Sequence, residues 1–88
     1  MALYEIEWKR SAKKELRKLD KLVIIRILQA VESLAEDPLQ PGSKTLAGSN
    51  SIYRIRVGNY RVIYNIESSV LTIEIIKVVH RGQVYRKK

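Results

Sequence analysis

The chain has 88 residues, 17 of them Lys or Arg and 9 Asp or Glu, which gives a formal net charge of +8; it has one histidine and no cysteine. That length accommodates one domain with a small core, and 45% hydrophobic with 30% charged residues is the composition of a folded globule. The absence of cysteine excludes a disulfide scaffold, a thiolate zinc site and a cysteine nucleophile, and a lone histidine excludes a His-pair metal site. No apolar run approaches the roughly 20 residues of a membrane span, and Met1–Glu5 carries no charged-then-apolar leader. The expectation is a cytoplasmic domain that uses no metal or cofactor and has no membrane partner.

In chain order, Tyr4-Glu5-Ile6-Glu7-Trp8 alternates at period two and predicts a short strand. Ser11 is placed to cap a helix running to about Leu19, with Ala12, Leu16 and Leu19 as its apolar stripe. Lys13, Lys14, Arg17, Lys18 and Lys21 form a basic stripe beside it. Asp20 is placed to cap a second helix, whose apolar positions Ile24, Ile27, Leu28, Val31, Leu34 and Ala35 recur at three- and four-residue spacing. Pro38 stops that helix, and so short a link between the two predicts a helical hairpin. Residues 38–51, rich in Pro, Gly and Ser, read as a loop. Ile52–Val57 is a strand. Gly58-Asn59 has glycine first, the preference of a type II′ hairpin turn, and Tyr60–Ile66 returns. Glu67-Ser68-Ser69 turns again into a long strand from Val70 to about Val79, followed by a basic tail carrying Tyr85. Strand, helical hairpin and three-stranded antiparallel meander make an α+β domain with its helices packed on one face of a small sheet.

The charge is uneven. Residues 1–44 carry 9 basic and 7 acidic side chains, whereas residues 45–88 carry 8 and 2. No carboxylate lies between Asp37 and Glu67, and Arg54, Arg56 and Arg61 fall in that gap. Self-repulsion of this kind points to an anionic partner, nucleic acid before acidic protein, and composition alone leaves open a basic surface kept for solubility.

A two-residue hairpin fixes the register. Val57 then faces Tyr60, Arg56 faces Arg61, Ile55 faces Val62 and Arg54 faces Ile63. The three arginines share one sheet face, while Tyr53, Ile55, Val57, Tyr60, Val62, Tyr64 and Ile66 take the face the helices cover. Like charges on directly opposed residues are destabilising, so their collection implies a use. Guanidinium forks on a rigid pleat suit phosphate oxygens, and an aromatic ring nearby suits a base. Extended across Ser68-Ser69, the register pairs Tyr64 with Ile73 and Arg61 with Ile76, and it brings Glu74 and His80 to the arginine face. Trp8 reads as packing, and the first helix's basic stripe as a solvated face or a grip on nucleic-acid backbone.

Leu46-x-Gly48, the run Tyr53-Arg54-Ile55-Arg56-Val57-Gly58-Asn59-Tyr60-Arg61-Val62-Ile63-Tyr64 and the tail His80-Arg81-Gly82-Gln83-Val84-Tyr85 together resemble the RelE/ParE toxin superfamily. The resemblance covers essentially the whole chain. It implies the toxin of a type II toxin–antitoxin system. RelE-type members are ribosome-dependent endoribonucleases that cut mRNA in the decoding site, and ParE-type members inhibit DNA gyrase without a nuclease set.

Carried onto this sequence, the RelE-type basic positions fall on Arg54, Arg56, Arg61 and Arg81, and the aromatic one on Tyr85, which favours the nuclease branch. The RNA 2′-OH would attack the adjacent phosphorus. Arg54, Arg56 and Arg61 would stabilise the phosphorane, Arg81 would attend the leaving 5′ oxygen and Tyr85 would orient the base. The second position is a lysine in the best-known RelE-like enzymes, where it is assigned as the base. An arginine cannot give up its proton, which makes His80 the one side chain able to accept one near neutrality. Lys13, Lys14, Arg17, Lys18, Lys44 and Arg86 are the further candidates for RNA contact. The partners implied are a cognate antitoxin with an acidic toxin-binding segment, the ribosome with its mRNA, and operator DNA only through the antitoxin. The alternatives are a ParE-like gyrase inhibitor and a degenerate RNA-binding member.

Overall fold

The computed structural model of the chain describes residues 3–39, 43–45 and 51–80. The elements are β1 (Glu5–Trp8), α1 (Arg10–Arg17), α2 (Lys21–Glu36), β2 (Lys44–Thr45), β3 (Ile52–Val57), β4 (Tyr60–Glu67), a single 3₁₀ turn (Ser68–Val70) and β5 (Thr72–His80). The predicted strand, helical hairpin and meander are all present. The sheet order is β1-β5-β4-β3-β2. β1 lies parallel to β5 and every other pairing is antiparallel.

Ala12 and Leu16 of α1 and Ile27, Val31 and Leu34 of α2 share one core with Ile55, Val62, Tyr64, Ile73, Ile75 and Val78 of the sheet. Both helices therefore dry the same sheet face, and among the described residues nothing covers the other face. β1 pairs with β5 only as far as Ile75, whose carbonyl accepts the Lys9 N–H at 2.9 Å. Beyond that point α1 runs beside β5, shielding an edge that would otherwise present unpaired backbone groups. Tyr64 is fully buried, and its hydroxyl donates to the Pro38 carbonyl at 2.8 Å, tying the sheet to the end of α2. Burial pushes that hydroxyl above its ordinary 10.0; a hydrogen bond with Ser43 pulls the other way.

The local readings need four corrections. α1 begins at Arg10 rather than after Ser11. Lys9 is extended at the N-cap and its carbonyl takes the Lys13 N–H, so Ser11 sits exposed inside the first turn. Asp20 does stand at the N-cap of α2, but its side chain makes no capping bond. The expected loop over 38–51 contains the two-residue β2, whose Lys44 and Thr45 pair with Arg54 and Tyr53. The last strand starts at Thr72, because Ser68–Val70 winds one 3₁₀ turn and Leu71 takes a left-handed φ of 49°.

The β3–β4 register matches the expected one at all four predicted pairs, Val57↔Tyr60, Arg56↔Arg61, Ile55↔Val62 and Arg54↔Ile63. Gly58 has φ +60° while Asn59 is not among the positive-φ residues, as a type II′ turn requires. The β4–β5 register differs. Tyr64 pairs with Ile75 and Arg61 with Val79, with a bulge between Ile63 and Tyr64 in the pairing that leaves Ile76 without a partner.

Candidate nucleic-acid interface

The uncovered sheet face is built row by row from the strand register. Nearest the hairpin, Arg56, Arg61 and Val79 lie side by side across three strands. The next row is Arg54, Ile63 and Lys77, with Lys44 the register partner of Arg54 on β2. Strands are about 4.8 Å apart and alternate rows about 7 Å apart. Arg54, Arg56, Arg61 and Lys77 thus occupy a patch the size of two or three nucleotides. Arg56 and Lys77 are exposed, and Arg54 and Arg61 are half-buried. Among the described residues, neither Arg54 nor Arg56 has a carboxylate within salt-bridge distance.

The carboxylates collect at the far end of the same face. Ile52, Asn65, Glu74 and Glu7 form one row, and Glu67, Thr72 and Glu5 the next. Asn65 donates to Glu67 at 3.2 Å within this group. The face is therefore dipolar, cationic toward the hairpin and acidic toward the 3₁₀ turn. Glu74 is on the face expected of it, but it sits in the acidic rows.

His80 is not on the arginine face. The shift at the start of β5 displaces the pairing by two residues and preserves side-chain parity. The bulge at Ile76 adds one more, and every later side chain exchanges faces. His80 consequently pairs with Tyr60 on the helix-covered side, the two rings edge-on with centroids 5.1 Å apart. The same inversion brings Lys77 onto the arginine face, where sequence reasoning had not placed it. A bulge is an irregularity of the ladder with no residue signature in Ile75-Ile76-Lys77, so alternation counted along the sequence could not find it.

Arg81, Tyr85 and Arg86 lie outside the described residues. Lys13, Lys14 and Arg17 of α1 and Lys18 at its C-cap are all exposed. The first three join Arg10, at the i, i+3, i+4, i+7 positions of one helix face, and Trp8 to line a groove of about 580 Å³. Lys18 stands apart, 3.8 Å from Glu15. Arg10, the first residue of the helix, was missed because the helix was expected to begin after it. Trp8 packs against the core as expected and also forms one wall of this groove. Among the described residues no group of three or more metal-ligating side chains converges, and no helix is long and apolar enough to cross a membrane.

The arrangement can hold an extended polyanion by two or three consecutive phosphates, with the guanidiniums fixed on a pleat rather than on mobile loops. The chain is similar to toxins of type II toxin–antitoxin systems. The profile of the ParE toxin of type II toxin–antitoxin systems, parDE, matches residues 6–85. Toxin RelG of Mycobacterium tuberculosis (strain ATCC 25618 / H37Rv) is 31% identical, over 96% of this chain and 98% of its own length. Among solved structures, the archaeal RelE–RelB complex of Pyrococcus horikoshii OT3 contains a chain that superposes with a TM-score of 0.79 at 28% identity, covering 93% of this chain and 99% of that one. The isolated E. coli RelE toxin superposes with a TM-score of 0.79 at 26% identity, covering 93% and 90%.

Proposed function

The chain belongs to the ParE toxin family, within the RelE/ParE superfamily of type II toxin–antitoxin toxins, and from that premise we propose that it is a ribosome-dependent endoribonuclease acting on mRNA in the cytoplasm. The observation that carries this reading is the Arg56–Arg61 cross-strand pair with Arg54 in the adjoining row. Three cations concentrated at a cost in folding energy make sense where they meet phosphate.

In the proposed reaction the 2′ oxygen attacks the neighbouring phosphorus and the P–O5′ bond breaks. A 2′,3′-cyclic phosphate and a 5′-hydroxyl result. Arg54, Arg56 and Arg61 neutralise the charge that builds on the non-bridging oxygens. Following the resemblance, Arg81 stabilises the departing 5′ oxygen and Tyr85 stacks on the base. The imidazole of His80 is directed to the opposite face, so the 2′-OH proton passes to water in the decoding site and the 5′ oxygen recovers one from it. A site that relies on charge and on the geometry imposed by the ribosome is slow on free RNA. The α1 groove, with Lys13, Lys14 and Arg17, adds a second grip on RNA backbone; Lys18 beside that helix, Lys44 on β2 and Arg86 of the tail are further candidates for contact.

The partner is a cognate antitoxin whose acidic segment covers the cationic rows and through which the pair reaches operator DNA. The solved structures similar to this chain include a toxin–antitoxin complex, RelBE2 of Mycobacterium tuberculosis.

One observation favours a second reading. The matching profile is that of ParE, and inhibition of DNA gyrase needs no proton acceptor. Mapping the 5′ ends of cellular messages after a brief pulse of expression separates the two. Breaks inside codons of translated messages are expected. Intact messages accompanied by DNA damage would establish gyrase as the target.

A further inference from the structure

The bulge at Ile76 breaks the β4–β5 ladder. A bulge gives up regular pairing and re-aims the side chains beyond it. In an unbroken ladder Lys77 would fall opposite Val62 and point at the helices, and the cationic rows would end at β4. With the bulge, Lys77 is the register partner of Ile63, which is itself paired with Arg54. The row therefore reads cation, aliphatic, cation across β3, β4 and β5, with its two charged residues about 10 Å apart at the backbone. Ile63 is half-buried, and Lys77 is exposed. Among the described residues Lys77 has no carboxylate within salt-bridge distance. Glu15 lines the same small groove beside α1, but its carboxylate is 3.8 Å from Lys18. The next row of the face, about 7 Å further along the strands, already contains Glu74.

We propose that Lys77 holds a phosphate adjacent to the one that is cut, so that the RNA crosses the strands from β3 to β5 with one nucleoside lying over Ile63. This rests on the nuclease reading above and adds the path of the substrate. The side chains fit divided tasks. The guanidinium forks of Arg54, Arg56 and Arg61 suit the phosphorane, whose charge and geometry change during the reaction. A flanking diester keeps a single charge throughout and needs only a point charge on a flexible stem, which a lysine supplies. Ile63, uncharged between the two cations, gives the sugar or base an apolar surface and gives a phosphate nothing to bind. The carboxylate of Glu74 in the following row repels a backbone that would instead run along the strands. Lys77 is thus a substrate-binding residue whose contact is the same before and during the chemical step.

The test uses the full chain on ribosomes programmed with synthetic messages, in which the phosphate on one side or the other of the cut is replaced by an uncharged methylphosphonate. Circular dichroism and thermal melting verify that each variant folds. Lys77→Gln should raise KM about tenfold and leave kcat within about threefold, as loss of binding common to ground and transition states requires. Lys77→Arg keeps the charge and should bring KM back to within about threefold of wild type. For the wild type, a methylphosphonate at one of the two flanking positions should raise KM by a similar factor. For Lys77→Gln that same replacement should add less than about threefold, because the two changes remove one contact. A Lys77→Gln variant with the KM of wild type overturns the assignment, as does one whose kcat falls while KM holds. So does a methylphosphonate effect that is as large in Lys77→Gln as in wild type at both positions. Each of these leaves the nuclease reading intact. A wild-type chain that cuts no programmed message overturns that reading and the assignment with it.

Discussion

Replacing Arg56 by glutamine should stabilise the fold and cripple the activity in the same molecule. Arg56 and Arg61 are register partners across β3 and β4, and Arg56 is exposed. A directly opposed like-charge pair costs about 0.2–1 kcal/mol. Glutamine keeps most of the stem and removes the charge, so that cost is relieved. For a domain of this size each kcal/mol moves the melting temperature by about 4–8 °C, and a rise of about 2–4 °C is expected at low salt. The gain should shrink toward zero near 1 M salt, where the screening length falls to about 3 Å. The transition state loses far more. Removing one preorganised donor from an oxyanion-stabilising set costs about 10²–10³ in rate, or about 2.7–4 kcal/mol. The two effects have opposite signs, so unfolding cannot account for lost activity. Thermal melts at two salt concentrations, beside single-turnover cleavage on programmed ribosomes, read both. A variant that melts more than about 2 °C below wild type at low salt, or that cleaves within threefold of it, would refute the reasoning.

Three further outcomes follow from the geometry. Tyr64→Phe should destabilise the domain by about 1 kcal/mol through loss of the hydrogen bond to Pro38. Because burial raises the Tyr64 hydroxyl above 10.0, its stabilising contribution is complete below that pH and is lost as pH climbs through the folded value. Denaturant melts between pH 9 and 11 should therefore fall less steeply with pH for the phenylalanine variant than for wild type. His80→Gln should leave ribosome-programmed cleavage within about threefold at every pH from 6 to 8, because its ring packs against Tyr60 on the covered side; a 100-fold loss with a changed pH profile would restore His80 as the proton acceptor. Gly58→Ala should cost about 1–2 kcal/mol by denaturant unfolding. Nothing lies within 4 Å of an added Cβ, so the whole penalty is the φ of +60°.

Element order and the inner half of the sheet were legible in the sequence because their signals are local. Gly58-Asn59 sets a turn that admits one register, and that register alone gathers Arg54, Arg56 and Arg61 and turns Ile55, Val62 and Tyr64 inward. The ends of elements were less legible. The backbone bonds at Lys9 and the 3₁₀ turn at Ser68–Val70 depend on where neighbouring strands hold the chain, and neither carries a residue pattern of its own.

The functional face required tertiary structure at two points. The parallel pairing of β1 with β5 joins Glu5 and Glu7 to Glu67 and Glu74, residues about sixty positions apart, and makes the face dipolar. The bulge at Ile76 decides which side of the sheet each later residue of β5 occupies, placing His80, exposed beside Tyr60, on the side that carries the helices and Lys77 with the arginines. Side-chain parity has a period of two, so a single unpaired residue inverts everything beyond it. Local chemistry in the sequence determined that Arg54, Arg56 and Arg61 would share a face. That Lys77 joins them and His80 does not was decided by one irregularity in a ladder between strands.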